Sequence, residues 1–516
     1  MKYSIIPKPD LLEMREGVFT LKEPCPIFYS GKGAKEAASL LHEYLVPIMS
    51  AASAPAELQE NEAKGIRLIS LGSSCSGTFP SEEYDLSVDE EGIALKASSR
   101  EGLLRGIQTL RQLLPEETYT ANCQLREIAI QCLHIHDMPA MRWRGMMLDV
   151  ARHFFDKYQV MHMIELFAQH KFNIVHLHLT DDQGWRVEIR QFPKLTQIGS
   201  IRKQTIIGHE SSRPRKYDGI PYGGFFTQQE LREIVAFADR RGITIVPEID
   251  MPGHQSAAIC AYPELGNSPL NHVEVRQEWG ISSHILSPRE NSIGFAKSVL
   301  AEIMEIFPSK FIHIGGDEAV KSEWEISPEA QYIMAKHNCR NEKELQDFFI
   351  GSICSFIREN GRYMIGWEEI LNSRLDRGAV IASWRGRGTE KDALRQGNRV
   401  IMASRLFAYF DYYQADPASE PLAGGDVLPL EKVYSFNAIE GIEPCFKSYV
   451  LGGQAQLWSE YIATLEHLEY MAFPRACALA EKLWTKPDLC EYSDFLERMN
   501  MHRYRLNAQN VNYHPC

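Results

Sequence analysis

The stretch KFIHIGGDEAVKSEW, residues 310–324, combines the pattern of a strand with a pair of adjacent acids. Residues 311–314 are rich in β-branched and aromatic side chains, which predicts a short buried strand. The two glycines that follow end this strand and allow a close approach of the backbone. Asp317 and Glu318 come next, and carboxylates in such a place cost desolvation energy unless they are hydrogen-bonded or one is protonated. Since neighbouring acids push each other's pKa values apart, the pair is a candidate catalytic site, with a loop of two solvated acids as the alternative.

From residue 143 onward, runs typical of strands alternate with runs typical of helices. The strand patterns lie at 144–150, 172–179, 243–249, 311–314, 363–367, 379–384, 399–404 and 452–458. Helical spacing is clear at 157–170, 227–241, 293–307, 342–359 and 389–395, and it predicts one long amphipathic helix at 465–484. Eight such units over about 340 residues favour an α/β fold, a (β/α)8 TIM barrel. A doubly wound sheet is the alternative, but neither G-x-G-x-x-G nor a phosphate-binding loop follows any of the strands.

The chain before the barrel has the pattern of a separate, small α/β domain. We assign residues 1–136 to this domain and residues 137–516 to the barrel with its C-terminal helix. The patterns in the small domain are a helix at 34–48, a strand at 65–71, a hairpin of 84–88 with 93–97, and a helix with an apolar stripe at 104–114. No catalytic constellation is present in it, so we expect a supporting domain.

Composition and charge exclude several classes of protein. The 516 residues are too many for one compact core, and 44% apolar with 24% charged residues is ordinary for a globular protein. A net charge of -13 disfavours nucleic acid and anionic membranes as partners, and no run of 18 apolar residues could span a membrane. Eleven cysteines without C-x-x-C spacing and an N-terminus without an apolar leader predict a cytoplasmic protein, with export as the alternative if a leader had been removed.

Acids and tryptophans recur at the ends of the predicted barrel strands, where the active site of such a barrel lies. In chain order these residues are Asp149, Arg152, Asp181, Asp182, Trp185, Glu248, Asp250, His254, Asp317, Glu318, Trp367, Glu368, Trp384, Tyr409, Asp411, Trp458 and Glu460. One tryptophan at a strand end is usually part of the core, but three favour a binding role. Aromatic faces beside carboxylates suit a sugar ring, whose C–H face stacks while its hydroxyls take charged hydrogen bonds.

A metal site is the competing hypothesis. His176 and His178 form an H-x-H pair on a predicted strand, and such pairs can bind metals. They lie before the strand end, however, and no third histidine or cysteine stands at an obvious companion position. We therefore expect neither a metal nor another cofactor.

The chain resembles β-N-acetylhexosaminidases of glycoside hydrolase family 20 over nearly its full length. The order and approximate spacing of the motifs agree with that family, and HIGGDE between PEIDMPGH and WSE is very specific. The matching segments are WRGMMLDVARHF, HLHLTDDQGWR, YGGFFTQQELREIV, IVPEIDMPGH, HIGGDE, IGWEE, SWRG, AYFDYY and GGQAQLWSE. Residues 84–114 are similar to the small domain that precedes the barrel in the family.

The resemblance implies retaining hydrolysis of terminal β-linked N-acetylglucosamine or N-acetylgalactosamine with an unusual nucleophile. Most retaining glycosidases place a second carboxylate about 5 Å from the acid. Asp317 and Glu318 are adjacent in sequence, which does not suit opposite sides of one glycosidic bond. Family members use the substrate's own 2-acetamido oxygen, which attacks the anomeric carbon and forms an oxazolinium ion that water then opens.

The resemblance also implies a role for each site residue. Glu318 would be the acid and base, Asp317 would hold the acetamido N–H, and Tyr409 would donate to the acetamido oxygen. The tryptophans at 367, 384 and 458 would enclose the acetamido methyl. The remaining substrate-binding residues are Arg152 for the C3 and C4 hydroxyls, Asp411 and Glu460 for the C4 and C6 hydroxyls, and Asp181 and His254 as groups that orient Glu318.

One departure from the family and two alternatives remain open at this point. Phe436 stands where the family often has a tryptophan beside the leaving group, which puts a preference for chitin oligosaccharides in doubt. A catalytically silent sugar-binding relative is the first alternative, but it would lack Glu318, Asp317 or Tyr409. A metal-dependent barrel hydrolase is the second. The sequence does not distinguish N-acetylglucosamine from N-acetylgalactosamine, and it does not give the oligomeric state.

Overall fold

The computed structural model describes residues 3–49, 53–59, 64–72, 78–120, 123–268, 272–372, 375–386 and 388–515. Its first part is a seven-stranded mixed sheet. The strands lie side by side in the order Leu11–Lys22, Glu127–Asp137, Tyr84–Asp89, Gly92–Ala97, Gly65–Ser70, Ile27–Ser30 and Ala56–Glu57. Helices Ala34–Leu45 and Arg100–Leu113 pack against this sheet and against each other. The predicted hairpin is present, with Val88 opposite Ile93.

The second part is a closed barrel of eight parallel strands, which confirms the predicted TIM barrel. Each of the eight predicted strand patterns corresponds to one barrel strand. Barrel strands 1 to 8 are Trp143–Asp149, Ile174–His178, Thr244–Glu248, Phe311–His313, Tyr363–Trp367, Val380–Ser383, Arg399–Met402 and Val450–Leu457. The main helices around them are Lys157–Gln169, Gln228–Arg240, Glu290–Ile306, Glu342–Glu359, Thr389–Gln396, Leu430–Tyr434 and Arg475–Trp484.

The prediction of one long helix at 465–484 is wrong, because the structure has two helices there. They are Leu465–Ala472 and Arg475–Trp484, and Pro474 lies between them. Proline has no N–H to donate within a helix, and it disfavours helical geometry in the residue before it. A further helix, Tyr492–Ala508, follows. Within the described residues, no helix is both long and apolar enough to cross a membrane.

The small domain packs on the amino-terminal end of the barrel strands. Glu82 pairs with Arg105 of its own domain at 2.7 Å and with Arg144 of barrel strand 1 at 2.6 Å. Asp137 pairs with Lys171, which precedes barrel strand 2, at 2.7 Å. These contacts leave the opposite end of the barrel, where the strands finish, free to form a site.

Candidate active site

The structure brings the predicted site residues to one end of the barrel. Each lies at the carboxyl end of a barrel strand or in the loop after it, and together they represent all eight barrel strands. The residues are Arg152, Asp181, His254, Asp317, Glu318, Trp367, Trp384, Tyr409, Asp411, Trp458 and Glu460.

The glycines of the HIGGDE motif are needed for the backbone geometry beside the acids. Gly315 has φ +59°, and a Cβ on it would lie 1.9 Å from Asp250 Oδ1. The N–H of Gly316 donates to the same oxygen at 3.0 Å. Glu318 itself has φ +48°, and His254, which faces it, has φ +54°. Side chains other than glycine rarely adopt such angles, and where they do the site is often functional.

Asp181, His254 and Glu318 form a line of charged groups that we call the acid–base chain. Asp181 Oδ1 lies 3.1 Å from Nδ1 of His254, and Nε2 of His254 lies 3.6 Å from Glu318 Oε2. Burial of His254 disfavours its charged form, but Asp181 and Glu318 outweigh this and raise its pKa well above the ordinary value. The side chain of Glu318 remains 32% exposed, so it can exchange protons with a ligand while His254 orients it.

Asp317 lies beside the acid–base chain and has a free oxygen. Its Oδ2 is 3.8 Å from His254 Nε2, whereas its Oδ1 is buried without a hydrogen-bond partner in the protein. Burial, together with the nearby charge of Asp250, raises the pKa of Asp317 well above the ordinary value. A buried acceptor of this kind is costly in isolation and suits an N–H group of a ligand.

Four aromatic rings lie in two close pairs near Asp317, and we call this group the aromatic pocket. The ring centroids of Trp367 and Trp458 are 6.0 Å apart, and those of Trp384 and Tyr409 are 6.1 Å apart and stacked. Burial and the charges of Asp411 and Asp317 raise the pKa of Tyr409 well above its ordinary value, which keeps its hydroxyl protonated as a donor.

The indole N–H groups of two of these tryptophans already donate hydrogen bonds to carboxylates of the protein. Trp367 donates to Glu248 at 3.0 Å, and Trp384 donates to Glu369 at 3.2 Å. The carbon surfaces of these rings are therefore what the pocket offers. Such a surface suits a small apolar group such as a methyl.

Arg152, Asp411 and Glu460 form a polar edge to the same pocket. The Arg152 guanidinium lies over the ring of Trp458 at 5.0 Å, and its nitrogens reach Asp181 at 2.8 Å and Glu460 at 3.8 Å. Asp411 Oδ1 is buried without a protein partner, and burial with the charge of Glu460 raises the pKa of Asp411. This edge has the donors and acceptors that sugar hydroxyls require.

A cavity of about 950 Å³ opens beside Glu318. Glu318 and Trp384 line it together with Lys321, Lys343 and Arg385. Its size accommodates a leaving-group sugar, and both Glu318 and Trp384 line it.

Phe436 does not contribute to that cavity, so the expectation that it stands beside the leaving group is wrong. It is only 2% exposed and packs on Phe407 with ring centroids 6.0 Å apart. A Cβ on Gly453 of barrel strand 8 would lie 2.7 Å from its ring. Phe436 therefore belongs to the core, and its position gives no information about the leaving group.

The histidines of the competing metal hypothesis converge on Glu248. His178 Nδ1 and His176 Nε2 lie 2.6 Å and 3.0 Å from Glu248 Oε2. Candidate ligand atoms of His176, Glu248 and His313 lie within 4.8 Å of one another, whereas His178 is not part of that group. The predicted H-x-H pair is therefore not a shared pair of ligands, although the trio has the residue types that a metal could use.

Sequence reasoning assigned no role to Glu248, Asp250 or Glu369. Glu248 and Asp250 were visible as acids at a strand end, and Glu369 was visible in the IGWEE motif. Their hydrogen-bond partners follow or belong to other barrel strands. These contacts therefore become visible only when the strands are arranged in the closed barrel.

A (β/α)8 barrel with a carboxylic acid, an aromatic pocket and a polar edge at its strand ends has the features of a glycoside hydrolase. Comparison with known proteins agrees. Residues 141–487 match the profile described as "Glycosyl hydrolase family 20, catalytic domain", and residues 2–138 match "Glycosyl hydrolase family 20, domain 2".

Similar proteins span most of the chain. A beta-hexosaminidase of Porphyromonas gingivalis is 36% identical over 99% of this chain, which spans 64% of that relative's length. A beta-hexosaminidase of Vibrio furnissii is 34% identical over 92% of this chain, and the match covers 76% of that relative's length. The solved structure of a GH20 exo beta-N-acetylglucosaminidase from Vibrio harveyi in complex with N-acetylglucosamine has a TM-score of 0.85 and 34% identity, over 99% of this chain and 78% of that one. The chain belongs to glycosyl hydrolase family 20, and it is a glycoside hydrolase.

Proposed function

We propose that the chain removes terminal, non-reducing β-linked N-acetylglucosamine or N-acetylgalactosamine from glycans, with retention and with the substrate's acetamido oxygen as nucleophile. The observation that carries this proposal is the buried, unpartnered oxygen of Asp317 beside the pocket walled by Trp367 and Trp384. An acetamido group has both features that this pocket requires, an N–H and a methyl. The complex of the Vibrio harveyi relative with N-acetylglucosamine supports the same sugar.

The arrangement of the two acids supports an internal nucleophile. One nitrogen of His254 approaches both Asp317, at 3.8 Å, and Glu318, at 3.6 Å. The two carboxylates belong to consecutive residues and share this neighbour, an arrangement that does not suit a protein nucleophile and an acid on opposite sides of one glycosidic bond. An acetamido oxygen belongs to the reacting sugar, so little entropy is lost in bringing it to the anomeric carbon.

Glu318 carries the proton transfers. It protonates the leaving oxygen as the glycosidic bond breaks and then removes a proton from the water that opens the oxazolinium ion. His254, held by Asp181, orients the carboxyl group of Glu318, which lines the cavity that would take the leaving group.

Asp317 and Tyr409 aim the nucleophile. Asp317 accepts the acetamido N–H and stabilises the positive charge that develops as the ring closes. The Tyr409 hydroxyl donates to the acetamido oxygen, and the tryptophans at 367, 384 and 458 enclose the methyl group. Arg152, Asp411 and Glu460 take the ring hydroxyls, which fixes the terminal sugar and makes the attack exo-acting.

The first experiment compares two aryl β-glycosides that differ only in the acetamido group. We expect cleavage of the aryl N-acetylglucosaminide and at least about 1,000-fold slower cleavage of the aryl glucoside, because the latter lacks the nucleophile. A chelator is added in a parallel assay, and the rate should not change. Comparable cleavage of both glycosides would show a protein nucleophile, and loss of activity with the chelator would favour the metal-dependent alternative.

A further inference from the structure

Glu248 lies in the floor of the site, where no role has been assigned to it. It is the last residue of barrel strand 3 and has no exposed surface. In the strand register it stands opposite His178 of barrel strand 2 and His313 of barrel strand 4. A carboxylate in such a place is stable only if its surroundings supply donors or positive charge.

Nitrogen atoms from three barrel strands surround this carboxylate. Oε2 lies 2.6 Å from Nδ1 of His178, and Oε1 accepts the Trp367 indole N–H at 3.0 Å. A nitrogen of His176 and one of His313 lie 3.0 Å from the two oxygens. Burial alone would raise the pKa of Glu248, but His313, His178 and His176 hold it well below the ordinary value, so the group is ionised.

We propose that Glu248 is a positioning residue of the hydrolysis, which holds the Trp367 wall directly and the acid–base chain through His178. The inference rests on the proposed function, because it concerns the same site. One carboxylate would then fix two parts of the machinery, the pocket for the acetamido methyl and the group that protonates the leaving oxygen.

Two sets of contacts lead away from Glu248, and we call them its two arms. The arm toward the acid is a continuous series of contacts from Glu248 to Glu318. His178 Nε2 lies 2.9 Å from Asp181 Oδ2, the same carboxylate that reaches His254 through its other oxygen. Although burial opposes it, the charges of Glu248 and Asp181 raise the pKa of His178 to about 10. Glu248, His178, Asp181 and His254 thus alternate in charge up to Glu318, which keeps each member in one orientation.

The arm toward the pocket is short. Trp367 donates directly to Glu248, and the ring of His178 meets the face of Trp458 edge-on with centroids 5.0 Å apart. Two of the three tryptophan walls therefore contact Glu248 or its first partner. Since an error of about 1 Å in a positioned group can cost 100-fold in rate, both arms should matter to turnover.

Glu248→Gln separates the two arms, because glutamine keeps an oxygen for the Trp367 N–H and removes the charge that holds His178. We expect kcat/KM for an aryl N-acetylglucosaminide with a poor leaving group to fall about 100-fold. An activated dinitrophenyl glycoside needs little acid assistance, and its kcat/KM should fall by less than about 10-fold. Affinity for N-acetylglucosamine, measured by titration calorimetry, should stay within about 3-fold because the pocket keeps its wall.

Two companion variants affect the two arms to different degrees. His178→Gln should reproduce the steeper dependence on the leaving group, and it should weaken N-acetylglucosamine binding less than Trp367→Phe does, because it alters only the edge contact with Trp458. Trp367→Phe should weaken that binding about 10-fold and leave the dependence on the leaving group as in the wild type. The matched control is Glu302→Gln. Glu302 is also a buried carboxylate that accepts several N–H groups, but it belongs to helix Glu290–Ile306 and its hydrogen-bond donors are not site residues. This control should change neither the dependence on the leaving group nor the affinity for N-acetylglucosamine.

The outcomes are distinct. Equal losses of kcat/KM on both glycosides in Glu248→Gln, or unchanged kinetics, would overturn the positioning role and leave the proposed function standing. Loss of N-acetylglucosamine affinity in Glu248→Gln with an unchanged leaving-group dependence would overturn the connection between Glu248 and the acid–base chain. A wild-type chain that cleaves neither glycoside would instead refute the proposed function itself.

Discussion

At the scale of single residues, the carboxyl group of Asp250 contributes, after burial, to the raised pKa of Asp317. Acceptors of both residues and a nitrogen of His254 lie within 4.8 Å of one another. Burial and this neighbouring charge raise the pKa of Asp317 well above its ordinary value. Since Asp317 acts as an anion in the proposed mechanism, activity should fall on the acid side as the pH drops through that raised pKa.

Asp250→Asn should move the acid limb of the kcat/KM profile to lower pH. The substitution removes a negative neighbour, so Asp317 loses its proton more easily, while the new amide oxygen can still accept the Gly316 N–H. The measurement is the pH dependence of hydrolysis of an aryl N-acetylglucosaminide, with Asp239→Asn on the surface as the control. An acid limb that stays in place or moves to higher pH would contradict the assignment.

The acids and aromatic residues of the site were predictable because each follows a strand. The contacts between them were not, because they depend on the register around the barrel. Glu248 pairs in register with His178 on one side and His313 on the other, residues 70 and 65 positions away in sequence. The sequence marked His178 only as half of an H-x-H pair, which supported the competing hypothesis of a metal site.

At the scale of elements, strand 4 and its glycines decide the position of the acid. The eight barrel strands were predictable because strands buried on both faces are near-continuous apolar runs. Strand Leu11–Lys22 was missed because most of its side chains are exposed, so it lacks the alternation that marks a strand. The break at Pro474 was missed because apolar spacing continues across it on both sides.

Gly315→Ala should displace the two acids, because Gly315 lies between the end of barrel strand 4 and Asp317. Its positive φ costs a side chain about 1–2 kcal/mol, and the new Cβ would also collide with Asp250. We expect a lower midpoint in urea unfolding and a loss of kcat of about 100-fold, since Asp317 and Glu318 follow directly.

Gly294→Ala is the matched control. It lies in helix Glu290–Ile306 with nothing within 4 Å of a Cβ, and it should stabilise the chain by up to about 1 kcal/mol. Wild-type turnover in Gly315→Ala would show that the close approach is not needed.

At the scale of the whole molecule, the buried carboxylate of Glu82 helps to join the two domains at the end of the barrel away from the site. Glu82 is 6% exposed and pairs with Arg105 and Arg144, which are themselves buried. The two arginines hold the pKa of Glu82 below its ordinary value despite its burial. Removing the carboxylate would leave two buried cations facing each other, and such a loss typically costs about 3–5 kcal/mol.

Glu82→Gln should therefore lower the stability of the chain by about 3 kcal/mol without changing its chemistry. The free energy of unfolding is measured in urea, and kcat and KM are measured well below the unfolding transition, where both should match the wild type. Glu91→Gln is the control, because Glu91 pairs with Lys64 at 3.7 Å on the surface and should contribute less than about 1 kcal/mol. A changed kcat in a fully folded Glu82→Gln variant would show that the small domain acts on the active site through the barrel, beyond supporting it from the opposite end.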